Sequence, residues 1–446
     1  MGFKDKLILA VAAVFLLSAA GVGIFVWGFV ARDQNLVSED LVEEITEAAR
    51  LVSNTTKSKN TAARNWYFQP TPVTTPAIWH GSDEPDNALT LISTVRGDNR
   101  LTMQIVNRAG ETVHEWDLDW FELFPDPTHV PPDKVPKSRP GAHLHGAVLL
   151  QDGSIVVNFE HLAMVRLSKC GDVVWKLPEL SHHSIYLDEN GMLWASGETR
   201  HLDRAPEELP RHRAPLTEDT VWQVDPDTGR IVQRISLYDV LFANGYKSLL
   251  YMVPMKGRGY IVDRDLLHLN DVEVFPDYLE PGVFEPGDIM VSMRNIHTVM
   301  VFDPETLNIK FIWTAKDIMG QHDPDFIDGN TISVFNNNNY APSGEQSQIL
   351  IRDVREDDAE IYFAGTDTGD IPFFTPIMGK NEWLPDGGLL IAESFNGRVI
   401  ELDSNGELLW EYWNLTGDGY TGLLEQASRL TPEQAAMFTG NSCPAN

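Results

Sequence analysis

Three histidines in this chain open the same short phrase, and their type and spacing could do chemistry. His145, His183 and His322 each precede an apolar stretch, a polar or acidic residue with glycine in a turn, and a second apolar stretch. This pattern is typical of a β-hairpin. A β-repeat with histidines at matching positions would direct their imidazoles toward one axis, so we predict a shared site there.

His322 is the residue we expect to act as a nucleophile. It stands in the segment GQHDPDF (320–326), ahead of a predicted strand and the asparagine run 336–339. A neutral imidazole can attack an electrophile when its neighbours hold its tautomer and orientation. The alternative is a buried histidine that bonds to backbone and has only a structural role.

His268 and Arg294 fall on neighbouring strands of one predicted hairpin, together with Asn270. The guanidinium fork of Arg294 fits a tetrahedral oxyanion, and a histidine can protonate a leaving oxygen near neutral pH. We therefore predict an anion pocket, with Asn270 and His145 as substrate-binding residues. An ordinary salt bridge for Arg294 and a structural role for His268 are the alternatives.

Two histidine pairs leave questions open. His182 and His183 are adjacent, so on a regular strand they point to opposite faces and only one of them would face the site. His143 and His145 would share a face and could ligate zinc with a third residue. An H-x-H pair alone is a weak metal signal, so we expect neither a metal nor another cofactor.

Short β-segments must position these histidines, because they fill most of the chain from about His80 onward. Six of them run from an apolar strand through a polar turn into a second apolar strand. Their spacing of roughly 40 to 60 residues fits the blades of a propeller. We predict an all-β fold, a six-bladed β-propeller over residues 81–420, with a C-terminal helix and tail over 421–446. Four of the segments end at a tryptophan that we expect to pack in the core: Trp116, Trp175, Trp313 and Trp410.

The N-terminal part has a different composition. An unbroken apolar run over 7–30 is long enough to cross a bilayer as a helix. Lysines precede the run and acids follow it, which predicts a cytoplasmic N-terminus and a body outside. We predict a single-pass transmembrane anchor (1–30) in the inner membrane, a short amphipathic helix and linker (31–80), and a body in the periplasm or outside the cell. A cleaved signal peptide is the alternative.

Charge and cysteine content limit the function classes. The formal net charge of −31 argues against nucleic-acid binding, which requires clustered Lys and Arg. Two cysteines, Cys170 and Cys443, cannot form a disulfide framework, and the sequence leaves open whether they form one bridge.

Taken together, these motifs resemble the bacterial arylsulfotransferase family. The resemblance is carried by HHSI (182–185), DLLHLN (265–270), SMRN (292–295) and GQHDPDF followed by ISVFNNNN (332–339), in this order, within about 89–413. It implies a β-propeller that transfers a sulfuryl group from an aryl sulfate ester to a phenol, without a nucleotide sulfate donor and without a cofactor.

The resemblance also implies residue roles. His322 would be transiently sulfated in a ping-pong reaction, His268 and Arg294 would bind the sulfate and assist, and His182 or His183 would take part. A different class remains as the alternative, a non-catalytic propeller that acts as a binding or scaffolding subunit of a membrane-associated complex. A metal- or quinone-dependent propeller enzyme is a third hypothesis. The expected partners are an aryl sulfate, a phenol and the membrane, and an oligomeric or membrane-complex partner is open.

Overall fold

The computed structural model describes residues 66–439 and Cys443, apart from 133, 213, 253–254, 257–259, 262–264, 340–345, 366–371 and 418. The predicted membrane anchor, the amphipathic helix and most of the linker lie outside the described residues. In the part of the chain that is described, no helix combines the length and apolar character needed to span a bilayer.

The described residues form six antiparallel sheets of four or five strands, numbered 1 to 6 in chain order. Within each sheet, consecutive strands of the chain are neighbours, except that sheets 1 and 6 each gain one strand from a distant part of the chain. Their strands, given from one edge of each sheet to the other, are as follows. Sheet 1 contains Ala427–Arg429, Thr90–Val95, Leu101–Val106 and Thr112–Asp117. Sheet 2 contains Leu144–Leu149, Ile155–Phe159, Ala163–Leu167 and Val173–Leu177. Sheet 3 contains Ser181–Leu187, Leu193–His201, Leu216–Val224 and Ile231–Ser236.

The other three sheets repeat this plan. Sheet 4 contains Leu269–Val274, Ile289–Met293, Thr298–Phe302 and Ile309–Thr314. Sheet 5 contains His322–Asp328, Thr331–Asn336, Gln348–Asp353 and Glu360–Phe363. Sheet 6 contains Lys380–Trp383, Leu389–Glu393, Arg398–Leu402, Leu408–Trp413 and Ala77–Trp79.

The first strands of sheets 2 to 6 contact one another in chain order, and the first strand of sheet 6 contacts Ala427–Arg429 of sheet 1. Sheet 1 in turn contacts sheet 2 through Thr90–Val95. We call these first strands the inner strands, because the contacts place them around one central region. The fold is therefore all-β and propeller-like, as predicted.

Both ends of the described chain contribute strands beyond the expected β region. Ala427–Arg429 lies in the segment expected to hold only a helix and tail, and it pairs with Thr90–Val95. Ala77–Trp79 lies in the expected linker, and it pairs with Leu408–Trp413. Single edge strands of this kind are hard to read from sequence because three residues carry little periodicity.

Short elements connect the sheets. Two small sheets pair Phe68–Pro70 with Tyr420–Gly422 and Leu415–Gly417, and Met255–Lys256 with Tyr260–Ile261. Three α-helices and three 3₁₀-helices are described: Trp120–Leu123, Leu237–Ala243, Pro432–Ala436, Lys247–Tyr251, Arg294–Ile296 and Ser394–Asn396. A capping box between Thr431 and Gln434 begins the C-terminal helix.

Tryptophans join neighbouring sheets, as expected of core packing. Trp410 of sheet 6 donates its indole N–H to the Arg108 carbonyl beside sheet 1, at 2.9 Å. Trp116 and Trp175 make the same type of bond to the carbonyls of Ser168, beside sheet 2, and Pro226, beside sheet 3. All three rings are buried. Each bond satisfies the one polar atom of an otherwise apolar contact.

A disulfide attaches the C-terminal tail to sheet 2. Cys443 pairs with Cys170, which lies in the turn between two strands of that sheet, with a Cα–Cα distance of 5.4 Å. The nearby Phe438 is buried against the rings of His114 and Trp116. The bridge closes a loop with a sequence separation of 273, and it therefore restricts the unfolded chain strongly.

We expect Cys443→Ser to lower the free energy of unfolding by about 2–4 kcal/mol, because the variant loses the restriction on the unfolded chain. Denaturant unfolding, with and without a reducing agent, measures the effect. The reducing agent should destabilise the wild type and leave the variant unchanged. Equal stability of the two oxidised proteins would contradict the prediction.

Candidate functional site

Four histidines from four sheets meet at the inner strands. His145 lies on the inner strand of sheet 2 and His183 on that of sheet 3, His322 begins that of sheet 5, and His268 directly precedes that of sheet 4. The ring centroids of His145 and His183 are 4.4 Å apart, those of His183 and His268 4.8 Å, and those of His145 and His322 6.2 Å. We call these four residues the central histidine cluster. The three histidines of the repeated phrase therefore lie close together, and that they form a functional site stays a prediction.

The hydrogen bonds of His322 fix its tautomer. Its Nδ1 lies 2.7 Å from Oδ1 of Asn337 and 3.0 Å from the Gly320 carbonyl, and both of these atoms are acceptors. The amide nitrogen of Asn337 donates to the carbonyls of Thr375 and Met378, so the Asn337 oxygen must face the imidazole. Nδ1 therefore carries the proton. Nε2 has the lone pair, which accepts the Met378 N–H at 3.2 Å.

His322 is also held in its neutral form. Burial and the nearby positive charge of Arg294 lower its pKa to about 3, although the hydrogen bond to Asn337 opposes the shift. The ring is 2% exposed, so water does not compete for its lone pair. A neutral imidazole with a defined lone pair is the form that can act as a nucleophile near neutral pH.

His268 and Arg294 lie side by side, as the sequence predicted. The Arg294 backbone N–H donates to the His268 carbonyl at 3.1 Å. This bond joins the 3₁₀-helix that follows the strand Ile289–Met293 to the residue before the strand Leu269–Val274. His268 adopts the left-handed conformation, with φ 57°, and its Nδ1 donates to the carboxylate of Asp265. Its Nε2 is buried and has no hydrogen-bond partner among the described residues. One nitrogen is thus oriented by a carboxylate while the other remains available.

The charges around His268 oppose each other. Burial lowers the pKa of His268, while Asp265 acts in the opposite direction. Burial alone would raise the pKa of Asp265, but His268 and Arg294 lower it to about 2. Asp265 is therefore a carboxylate at neutral pH, and it supports any imidazolium that forms on His268.

The expectation that only one of His182 and His183 faces the site is wrong. A β-bulge between His182 and Ile185 breaks the alternation of the strand, and His183 has a φ of 51°. The two Nδ1 atoms consequently approach to 2.9 Å. Asn158 donates to the His183 carbonyl at 2.9 Å, and a Cβ at Gly146 would lie 2.2 Å from the same oxygen. Both imidazoles therefore turn toward the centre.

Glu160 contacts several of these imidazoles, and the sequence patterns did not identify it as part of the site. Its carboxylate lies 3.0 Å from Nδ1 of His183, 3.2 Å from Nε2 of His161 and 3.6 Å from Nδ1 of His145, and it accepts the His183 N–H. Burial alone would raise its pKa, but His183 and His161 hold the pKa well below its usual range. The only available signal was its position, at the end of the repeated phrase beside His161.

The hydrogen bonds of Asn270 differ from those expected of a residue that binds sulfate directly. Its amide nitrogen donates to the Gln321 carbonyl at 2.7 Å, so it supports the residue before His322. Its Oδ1 is buried without a partner among the described residues. Because an oxygen acceptor repels an oxyanion, Asn270 would have to exchange partners before it could bind a sulfate.

His143 belongs to the edge of the site. Its Nδ1 lies 2.6 Å from the Glu425 carboxylate, and its ring centroid is 5.9 Å from that of His145. Burial lowers the pKa of His143, but Glu425 raises it overall. The pair predicted to share a face does so, with a carboxylate that the sequence did not suggest.

A cavity of 350 Å³ opens beside the cluster. Its polar lining combines three histidines and three acids with two basic residues: His161, His182, His268, Glu198, Asp219, Asp265, Lys134 and Arg200. Its apolar wall consists of Pro131, Leu180, Leu202, Pro215 and Leu216. Apolar walls around a few convergent polar groups are typical of a small-molecule site.

The fold and site define an all-β, propeller-like protein whose inner strands bring four histidines together near the half-buried Arg294. Residues 146–415, more than half of the chain, match the sequence profile of the family described as Arylsulfotransferase (ASST). The chain belongs to this arylsulfotransferase family, as the resemblance predicted. Membership supports an aryl sulfotransferase activity in general.

Solved structures are only distantly similar to this chain. No curated protein matches the chain. A protein of unknown function from Bacteroides caccae is 10% identical and covers 77% of this chain and 99% of its own, with a TM-score of 0.48. TolB from Acinetobacter baumannii is 10% identical and covers 77% of this chain and 66% of its own, with a TM-score of 0.42. These likenesses are too distant to carry an argument.

We expect Asn337→Ala to weaken the tautomer preference of His322, because the variant loses the nearer of the two acceptors of the Nδ1 proton and keeps only the Gly320 carbonyl at 3.0 Å. Long-range ¹H–¹⁵N spectra should show one Nδ1–H tautomer in the wild type and a mixture in the variant. Asn336→Ala is the matched control, since Asn336 is equally buried and bonds to Met319 and Asp317 instead. Both variants should lose about 1–3 kcal/mol of stability. An unchanged tautomer in Asn337→Ala would show that the Gly320 carbonyl and the Met378 N–H are sufficient, and it would refute the role given to Asn337.

Proposed function

We propose that this protein transfers a sulfuryl group from an aryl sulfate ester to a phenolic acceptor by a ping-pong mechanism, with a sulfohistidine at His322 as the intermediate. The observation that carries the proposal is the fixed Nδ1–H tautomer of a neutral His322 beside the charge of Arg294. We also propose that the six sheets are the blades of one six-bladed propeller, with this site in its channel.

In the first half-reaction, Nε2 of His322 attacks sulfur and the bond between sulfur and the aryl oxygen breaks. Protonated His268 gives its Nε2 proton to the departing oxygen, so a neutral phenol leaves. The Nδ1–H of the sulfated imidazole keeps its bond to Asn337. The Met378 N–H occupies the Nε2 lone pair in the structure, so this amide must move out of line before the attack.

The second half-reaction reverses these steps. Neutral His268 accepts the proton of the acceptor phenol, the phenol oxygen attacks sulfur, and the nitrogen–sulfur bond of His322 breaks. Sulfuryl transfer resembles phosphoryl transfer, where positioning and electrostatic stabilisation supply most of the rate enhancement. Arg294 supplies positive charge for the sulfuryl oxygens, and His145, His182 and His183 lie close enough to complete the pocket.

The cavity supports the substrate class. Its leucine and proline wall suits an aromatic ring, and His268 also lines it. We place the aryl group of donor and acceptor in this cavity, one after the other. A single site used in turn is compatible with a ping-pong reaction, in which the first product leaves before the acceptor binds.

The proposed location rests on the sequence and on the disulfide. Bridges such as Cys170–Cys443 persist mainly in oxidising compartments. This supports the prediction that the body lies in the periplasm or outside the cell, held by the segment 1–30. An oligomer or a partner within a membrane complex stays a prediction.

We expect His322→Ala to lower kcat for phenol release from an aryl sulfate by at least about 1,000-fold, because the variant lacks the nucleophile. His114→Ala is the control, since His114 lies on an outer strand and bonds to the Lys169 carbonyl. Mass spectrometry of wild type mixed with donor alone should find one sulfuryl group on the peptide that contains His322.

Two outcomes would overturn the proposal. Phenol release that survives in His322→Ala would exclude the covalent mechanism. No release by correctly folded wild type with several aryl sulfates and phenols would favour the non-catalytic binding or scaffolding subunit.

We expect Asp265→Asn to slow sulfuryl transfer most for donors with a poor leaving group. Asp265 raises the pKa of His268, so its loss lowers that pKa and leaves less imidazolium at a given pH. For an unactivated aryl sulfate, kcat/KM should fall by about 100-fold and should fall further as pH rises. A nitrophenyl sulfate, whose leaving oxygen needs little protonation, should lose much less. The exposed Asp203→Asn is the control, and equal losses for both donors would contradict the role of His268 as the acid.

A further inference from the structure

We propose that His161, His182 and Glu198 form a binding site for a divalent transition-metal ion such as Zn²⁺, on the wall of the cavity beside the sulfuryl site. Each residue offers one ligand atom, and these atoms lie within 4.8 Å of one another. All three residues line the 350 Å³ cavity. Two imidazoles and one carboxylate are a known ligand set for zinc that keeps a fourth position open.

The distances fit this type of centre. His161 Nδ1 lies 3.4 Å from Oε2 of Glu198. The ligand atoms of a tetrahedral zinc ion with bonds of about 2.0–2.1 Å are ~3.3 Å apart. The 3.4 Å separation matches one edge of such a tetrahedron, and the third ligand atom, from His182, lies within 4.8 Å of the other two.

His182 is an independent sign of a ligand. Its side chain is 1% exposed, and its Nε2 has no hydrogen-bond partner among the described residues. A buried nitrogen without a partner is costly. Nδ1 of His182 lies 2.9 Å from Nδ1 of His183, so Nε2 is the ring nitrogen left for a metal.

The surrounding groups orient the other two ligands. Nε2 of His161 lies 3.2 Å from Oε1 of Glu160, which suits a carboxylate that orients a metal-bound histidine. Oε1 of Glu198 lies 3.1 Å from Nε of Arg200, so Oε2 is the oxygen left for a metal. Outer contacts of this kind are common around zinc ligands and strengthen binding.

The site is accessible from the cavity. The His161 side chain is 42% exposed, whereas the other groupings of His and Glu near the centre share His145, which is 4% exposed. The nearest further oxygen ligand belongs to Asp219, whose Oδ1 is 3.8 Å from Nε2 of His182. A metal held here would direct its open position into the cavity, where an oxygen of the acceptor phenol can bind. This last point alone rests on the proposed function.

Isothermal titration of the chelator-treated full chain with Zn²⁺ tests the site, and Co²⁺ provides a visible spectrum. We expect one equivalent to bind, with the d–d absorption of a four-coordinate centre. His161→Ala and the nearly isosteric Glu198→Gln should each weaken binding at least about 10-fold. His80→Ala is the matched control, because His80 also pairs with a glutamate, Glu411, but lies on the outer edge of sheet 6.

Circular dichroism first establishes that each variant folds. If His161→Ala does not fold, Glu198→Gln still tests the site. Absence of stoichiometric binding, or binding that both variants leave unchanged, would overturn the site. The phenol-release assay is run separately, with and without metal. Metal binding without sulfuryl transfer would refute only the proposed function, and transfer by a protein that binds no metal would refute only the metal site.

Discussion

The pairing of Ala427–Arg429 with Thr90–Val95 is the contact on which the rest of the structure depends. Sheets 2 to 5 are local meanders that could form independently of each other, and nothing within one hairpin directs it toward another. The pairing joins the two ends of the β region and completes the series of inner-strand contacts. Histidines from four separate sheets then lie within ring contact. The Cys170–Cys443 bridge reinforces the same closure.

A second constraint is the balance of buried charge. Unpaired ions in a protein interior cost several kcal/mol, so a cluster of titratable groups is stable only if opposite charges are close. Glu160, Glu425 and Asp265 lie among the imidazoles and satisfy this condition. They also make neighbouring histidines different: the pKa of His322 falls to about 3, whereas Glu425 raises the pKa of His143, although burial opposes it. Separate nucleophilic and acid–base roles require such differences.

Much of the local structure was predictable because it depends on short-range patterns. Period-2 alternation and turn residues predicted hairpins at His145, His183 and His322, and four short motifs predicted the family, which the sequence profile confirms. Local patterning failed at His183, where a bulge and a φ of 51° break the alternation of the strand. Gly146 and Asn158 of the neighbouring sheet both approach the carbonyl of His183. The residues close to His183 in the sequence therefore do not explain the bulge.

The sequence by itself determined the all-β character, the family and the set of histidines with Arg294 that would form a site. Hairpin periodicity and motif order are properties of neighbouring residues, and a single chain records them completely. Only the tertiary structure decided the partners: Asn337 for His322, Asp265 for His268, Glu160 between three imidazoles, and the bond between Cys170 and Cys443. Such contacts set tautomer and charge, and they depend on distances between sheets that the local pattern does not specify.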